Sequence, residues 1–306
     1  MKKWLVCFIL TVIMIPISVI PAAAEENNRQ SQKPESVLPL ARAHAHNDYE
    51  HTRPLSDALQ HGFTSVEADV WLVDGELLVA HDKEGIRAGR TLKSLYLDPL
   101  KAIVKQNNGA VYKEYEHEFI LWIDIKSEGE ATYRAIDEQL RAYKSMLTKF
   151  VPSEVKPDAI TVYISGNRPR ALMENQKVRY AAYDGRMSDL GSDTSSEFIP
   201  VISDNWTKHF TWQGVGEMPN DEREKLYSIV STAHANGQKV RFWATPDLST
   251  PAREAVWKEL LKSQVDFLNT DDLAGLEEFL KKHDPQPSEP HITFENNSDK
   301  EEHGDD

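Results

Sequence analysis

The sequence predicts an α/β chain, a closed (β/α)8 TIM barrel with a β-hairpin after its second strand. Three observations lead there. Short runs rich in β-branched and aromatic residues recur along the middle of the chain. Amphipathic stretches fall between most of them. Charged pairs sit at the carboxyl ends of several runs, where a barrel of this kind places its chemistry. An open doubly wound sheet is the alternative, and a Gly-rich turn after the first strand would favour it. The chain reads His46-Asn47-Asp48 at that point.

The strand-like runs are Ala41–His46, Thr64–Val70, Phe119–Ile125, Ala159–Ile164, Val178–Ala182, Phe198–Ser203, Lys239–Ala244 and Val265–Asn269. Asp74-Gly75 is a strong two-residue turn signal, so Val66–Val73 and Leu77–Ala80 are expected to pair and to return His81 to the end of the second strand. Pro54-Leu55 opens a helix with Ala58 and Leu59 on one face. Ser94–Gln106 and Ala131–Leu147 give two more. Asp221 with Glu224 reads as a capping box before Leu226, Ile229, Val230 and Ala233, and Gly237 ends that helix. Thr250 caps and Pro251 begins the next. Leu273, Leu276, Phe279 and Leu280 mark the last.

Outside the barrel, taken as residues 41–283, three segments differ in character. Met1-Lys2-Lys3 is basic, Trp4 to Ile20 is almost wholly apolar, and Pro21-Ala22-Ala23-Ala24 is a small-residue cleavage pattern. Residues 1–24 therefore read as a signal peptide cut after Ala24, rather than an uncleaved anchor, which Pro16 and Pro21 disfavour. Residues 25–40 read as a flexible leader, and residues 284–306 as a disordered acidic tail. The expected location is secreted or cell-envelope, in a bacterial setting, with no membrane span left after processing. The sole cysteine, Cys7, would leave with the leader, so no thiolate chemistry is expected in the mature chain. The formal charge of −14 argues against nucleic acid and against a basic membrane-binding patch. It also requires local cations around any anionic substrate. The oligomeric state is not legible.

The chemistry-bearing residues cluster. Side chains alternate along a strand, so Glu67 and Asp69 share a face, as do Asp124 and Lys126, and His44 and His46. Glu67 and Asp124 are bracketed by apolar neighbours, where an uncompensated charge is costly. One divalent cation with oxygen ligands, Mg²⁺ or Ca²⁺, would relieve the repulsion among Glu67, Asp69 and Asp124. Lys126 would form a plain ion pair or, beside a metal, hold a phosphate oxygen. Two histidines near such a centre can move protons on either side of phosphorus. His44 reads equally as structural. Trp243 and Trp206 read as pocket walls or as ordinary core.

The run from His46 through Glu67-Ala68-Asp69-Val70, Asp74-Gly75 and His81-Asp82 resembles the glycerophosphodiester phosphodiesterase and phospholipase D-toxin superfamily, the phosphatidylinositol phospholipase C-like barrels. His46-Asn47-Asp48-Tyr49 followed by Arg53-Pro54-Leu55 looks most like its altered inheritance of mitochondria protein 6 branch. The resemblance implies catalytic roles for His46 and His81, metal ligation by Glu67, Asp69 and Asp124, and substrate contacts from Lys126 and Trp243. Asn269-Thr270-Asp271 resembles the family's Thr-Asp close of the final strand. Asn47-Asp48 departs from the usual His-Arg-Gly, and a Glu-Asn-Thr segment is absent. The implied activity is hydrolysis or cyclisation of a small-molecule or lipid phosphodiester. A non-catalytic barrel binding an anionic head group or glycan is the alternative.

Overall fold

The computed structural model describes Met1, residues 37–152 and residues 154–294. Apart from Met1, the expected signal peptide lies outside the described residues. From Leu40 onward, eight parallel strands form the frame: β1 (Leu40–Ala45), β2 (Phe63–Val73), β3 (Phe119–Ile125), β4 (Ile160–Gly166), β5 (Ala182–Gly185), β6 (Val201–Asn205), β7 (Lys239–Trp243) and β8 (Leu268–Thr270). They are hydrogen-bonded in the order β7-β6-β5-β4-β3-β2-β1-β8. A parallel bridge between Arg241 and Phe267 joins β7 to the chain entering β8 and closes the ring. The barrel read from the strand–helix alternation is therefore the barrel observed.

The helices are α1 (Ser56–Gln60), α2 (Asp98–Gln106), α3 (Gly129–Arg141), α4 (Arg170–Glu174), α5 (Trp206–His209), α6 (Asn220–Ala235), α7 (Pro251–Lys262) and α8 (Leu273–His283). Thr250 accepts from the Arg253 amide and Pro251 opens α7, as its sequence dictates. The Asp221/Glu224 capping box does not form. Pro219 occupies the cap of α6 without a side-chain bond, because the helix begins at Asn220. α3 stops at Arg141 rather than Leu147. Tyr143 and Met146 are buried beyond it in tightened turns, and buried Leu147 bridges to Ile160, so their helical spacing reports burial rather than a continuing helix.

Strand periodicity separates two apolar layers. Val66, Ala68 and Val70 of β2 belong to the large cluster shared with the helices. Ile120, Trp122, Tyr163, Ala182, Val201 and Phe267 form a second cluster that fills the barrel interior. Trp122 packs edge-on against both Tyr163 and Phe267 at ring distances of 5.1 and 5.8 Å. This apolar plug is the floor of the polar site above it.

The β2 hairpin forms as expected. Glu76–Val79 runs antiparallel to β2 with Val73 opposite Glu76. Asp74 and Gly75 both take positive φ, 51° and 84°, as a type I′ turn requires. The other end of the barrel is stapled by the chain after α8. The buried Arg42 guanidinium pairs with Asp284 at 2.7 Å and donates to the carbonyls of Gln286 and Glu289. Residues 284–294 thus lie against the barrel. Composition reads them as tail because a guanidinium of β1 supplies the partner that a local reading cannot see.

Candidate active site

Parallel register places the carboxylates. Asp69 of β2 lies directly opposite Asp124 of β3, and Asp124 opposite Ser165 of β4. Glu67 lies one inward-facing layer below Asp69. Ligand atoms of Glu67, Asp69 and Asp124 all fall within 4.8 Å of one another. Gly166 makes room for this. It sits at φ +67°, and a Cβ there would lie 2.2 Å from Asp124 Oδ1. Lys126 leans back onto the group, its Nζ 3.1 Å from Asp69 Oδ2 and 3.2 Å from Asp124 Oδ1.

The three carboxylates differ in electrostatic environment. Burial alone would raise Glu67, but the Arg241 guanidinium overrides it and holds the carboxyl well below its ordinary value. Asp69 is pushed up to about 7 by burial and by the Glu67 charge, with Lys126 only partly opposing. Asp124 is raised for the same two reasons. Asp69 Oδ1 is buried with no hydrogen-bond partner. An orphaned carboxylate oxygen inside a repelling acidic trio fits a hard divalent cation with oxygen ligands.

A network below fixes Glu67. Trp122 Nε1 donates to Ser65 Oγ at 3.0 Å. Ser65 Oγ lies 2.8 Å from His44 Nδ1, and His44 Nε2 lies 3.3 Å from Glu67 Oε2. Indole is donor-only, which orients the chain: Ser65 donates to Nδ1, and Nε2–H donates to Glu67. Burial and the nearby Arg241 push His44 down to about 3, so its ring is neutral. His44 is a positioning residue. Arg241 donates to Glu67 Oε2 at 2.5 Å and to Asn269 Oδ1, and lies 4.5 Å from the centre of the Trp122 ring. Both partners hold Oε2, leaving Oε1 for other use. Sequence reasoning missed Arg241. Its signal was a charge inside the apolar run Val240-Arg241-Phe242-Trp243, the criterion that found Glu67.

His46 follows β1 on the rim. Its Nδ1 lies 2.8 Å from Asp271 Oδ1, just after β8. That bond commits Nδ1–H and leaves Nε2 free for proton transfer. Burial would lower the imidazole, but the Asp271 bond and the Glu67 charge raise it on balance. Asp271 is itself held by Asp247, which accepts from its amide at 2.7 Å. His81 is exposed. The hairpin brings its backbone back: the Ala80 amide donates to the Asp69 carbonyl at 3.1 Å, and Trp71 Nε1 donates to the Ala80 carbonyl at 3.0 Å. Its ring makes no hydrogen bond or ion pair among the described residues. Trp243 is half-buried at the end of β7, on the same face as Arg241 and one layer higher. Trp206 is core, stacked on Phe210 at 4.1 Å.

The departure at Asn47-Asp48-Tyr49 has a structural reason. Asn47 takes the left-handed conformation, φ 48° and ψ 37°. Its amide sits 2.9 Å from both the His46 ring and the Tyr49 hydroxyl. Tyr49 donates to Asp69 Oδ2 at 2.7 Å. Buried Asp48 accepts from the Leu55 amide and the Tyr96 hydroxyl. The segment ties the histidine, a carboxylate and the loop into α1 together.

An open groove of about 760 Å³ leads away from Lys126, between Trp71 and Lys83 on the hairpin side and Ser127 and Asn167 on the other. A second cavity, about 580 Å³, lies near Lys239, Asp266 and Phe294. It opens at the amino-terminal end of the strands, so it takes no part in this chemistry.

Two family descriptions match the chain: AIM6-like phosphodiesterase domain over residues 33–184, and glycerophosphoryl diester phosphodiesterase family over residues 239–274. The first spans the triad, Lys126 and both histidines; the second spans Arg241, Trp243 and Asp271. Curated relatives include altered inheritance of mitochondria protein 6 of Eremothecium gossypii, 29% identical over 282 residues, covering 78% of this chain and 69% of the relative. The homologue of Arthroderma benhamiae is 29% identical over 266 residues, covering 78% of this chain and 82% of that protein. That of Lachancea thermotolerans is 29% identical over 291 residues, covering 81% and 67%. These relatives are fungal, which corrects the expectation of a bacterial secreted or cell-envelope protein. That expectation rested on a leader outside the described residues and on cysteine usage, and neither identifies a source. Among the described residues no helix is long and apolar enough to cross a membrane. The barrel, its acidic triad and both matches agree: the chain carries an AIM6-like phosphodiesterase domain over residues 33–184 and is similar to the altered inheritance of mitochondria protein 6 relatives over most of its length.

Proposed function

We propose that the chain is a metal-dependent phosphodiesterase cleaving a small-molecule or lipid phosphodiester by two-histidine acid–base catalysis. The observation that carries this reading is the triad Glu67, Asp69 and Asp124, within 4.8 Å, with the Lys126 ammonium on its rim. A Mg²⁺ or Ca²⁺ ion held by these carboxylates would supply Lewis-acid polarisation of the phosphate and screen the developing charge. Lys126, on the rim of the triad, would hold a phosphate oxygen as a point charge. His46, with Nδ1 committed to Asp271, presents Nε2 to the nucleophile, either water or a substrate hydroxyl. His81, exposed just beyond the hairpin, protonates the leaving alkoxide. Trp243 walls the rim. The groove beside Lys126 and the hairpin receives the leaving group, being continuous with the loop that carries His81. The overall negative charge leaves nucleic acid a poor substrate.

The test is a panel of phosphodiesters with Mg²⁺, Ca²⁺ and Mn²⁺, scored for release of an alcohol or phosphomonoester and, separately, for a cyclic phosphate. Turnover that stops in EDTA and returns with cation supports the reading. Full turnover in chelator removes the metal from it.

A further inference from the structure

We infer that Arg186 is a further substrate ligand of this site, a guanidinium that takes a non-bridging phosphate oxygen on the side of Asp124 away from Lys126. The inference rests on the phosphodiester reading and adds a residue to it.

The placement follows from register. Asp69, Asp124 and Ser165 form a row across β2, β3 and β4, each a direct neighbour of the next. Adjacent strands lie about 4.8 Å apart. Lys126 spans the first interval of the row. The second ends at Ser165, whose Oγ lies 3.3 Å from Arg186 Nη2. Arg186 therefore stands about one strand spacing beyond Asp124.

The side chain is held rigidly and left underused. Nη1 donates to Asp184 Oδ2 at 2.5 Å and to the Gly185 carbonyl at 2.8 Å. Asp184 is wholly buried and fixed in turn by Ser165 Oγ at 2.6 Å. A guanidinium carries five N–H groups, and these contacts leave Nε–H and one Nη2–H without a partner. The side chain is 25% exposed. Arg241, by contrast, is only 4% exposed and spends its bonds on Glu67 and Asn269. Arg186 thus combines a fixed position, spare donors and solvent access beside Asp124 and Ser165. In a chain of net charge −14, an anionic substrate needs such a group. If Arg186 served only to neutralise Asp184, its loss would lower stability and leave anion binding alone.

The probe is inorganic phosphate, titrated by ³¹P NMR into protein saturated with Mg²⁺, with Mg²⁺ binding followed separately by calorimetry. R186Q is expected to bind phosphate about ten- to a hundredfold more weakly, the loss of a charge-assisted pair, with Mg²⁺ affinity unchanged. R186K keeps the charge without the fork and recovers part of the loss. R186Q leaves Asp184 buried without its partner, so D184N/R186Q, which removes both charges, is the folding-safe companion and loses phosphate equally. Wild-type phosphate affinity in either variant overturns the inference, as does a wild-type chain that binds Mg²⁺ but no phosphate. A wild-type chain that takes up no divalent cation overturns the phosphodiester reading and this inference with it.

Discussion

Replacing Arg241 by Met isolates the electrostatic support of the site. Arg241 is buried, ion-paired to Glu67 and bonded to Asn269. R241M keeps much of the volume against Trp122 and leaves the Glu67 carboxylate buried and uncompensated. Breaking a buried pair from one side costs about 3–5 kcal/mol. For a domain of this size that corresponds to a fall in Tm of roughly 10 °C. The pH dependence is the sharper readout. In the wild type the depressed Glu67 carboxyl contributes stability above its unfolded value, and that contribution is lost as pH falls. Without Arg241, burial dominates, and the Glu67–His44 pair takes up a proton on folding. Stability of the variant then falls as pH rises through neutrality, the opposite slope. Urea melts between about pH 3 and pH 8 measure both slopes, the wild-type one lying below the ordinary carboxyl value of about 4.3. Parallel profiles, or a loss under about 1 kcal/mol, would refute the assignment of Arg241 as the residue that keeps Glu67 ionised.

Other substitutions probe separate parts of the site. H46A and H81A should each lower kcat by about 10²–10⁴-fold with little change in Tm, since both rings are at least partly exposed. H44A should instead destabilise by about 2–4 kcal/mol, because it empties a fully buried position against Trp122; a stable, inactive H44A would move that residue into the chemistry. Y49F removes the hydroxyl that orients Asp69 and should weaken divalent-cation binding by about tenfold, read by calorimetry; unchanged affinity would make the contact incidental. Asp48 is pushed up to about 6 by burial, which the bonds from Leu55 and Tyr96 only partly offset. A raised folded value means this carboxyl's contribution to stability declines as pH rises from about 4 to about 6, by roughly 3 kcal/mol at full effect. D48N keeps an acceptor without the charge and should flatten that decline; an unaltered profile argues against it.

The barrel and the carboxylate triad were legible because both depend on local alternation. Glu67, Asp69 and Asp124 announced themselves as charges inside apolar runs, and Asp74-Gly75 announced the hairpin. Strands β5, β6 and β8 begin three residues or more later than the apolar runs that marked them. Their final residues are polar, such as Asp184, Asp204 and Thr270, because the site occupies that end. The apolar run Val178–Ala182 mostly precedes its strand, and Arg179 pairs instead with Phe150 across an antiparallel bridge. What stayed hidden was pairing across distance. Arg241 reaches Glu67 around the ring, Asp271 reaches His46 from β8 to β1, and Arg42 holds Asp284. Tyr49 was hidden differently: its value lies in a hydroxyl that reaches Asp69, and composition and spacing say nothing of that.

Cation binding at the triad, measured by calorimetry on the wild type and on E67Q, D69N and D124N, and paired with diester turnover in EDTA, tests the central claim most directly. The account predicts one divalent cation per chain, lost or sharply weakened in each variant, and turnover that vanishes in chelator and returns with added Mg²⁺ or Ca²⁺. Cation affinity unaffected by all three substitutions, or diester turnover that persists in EDTA, would contradict it.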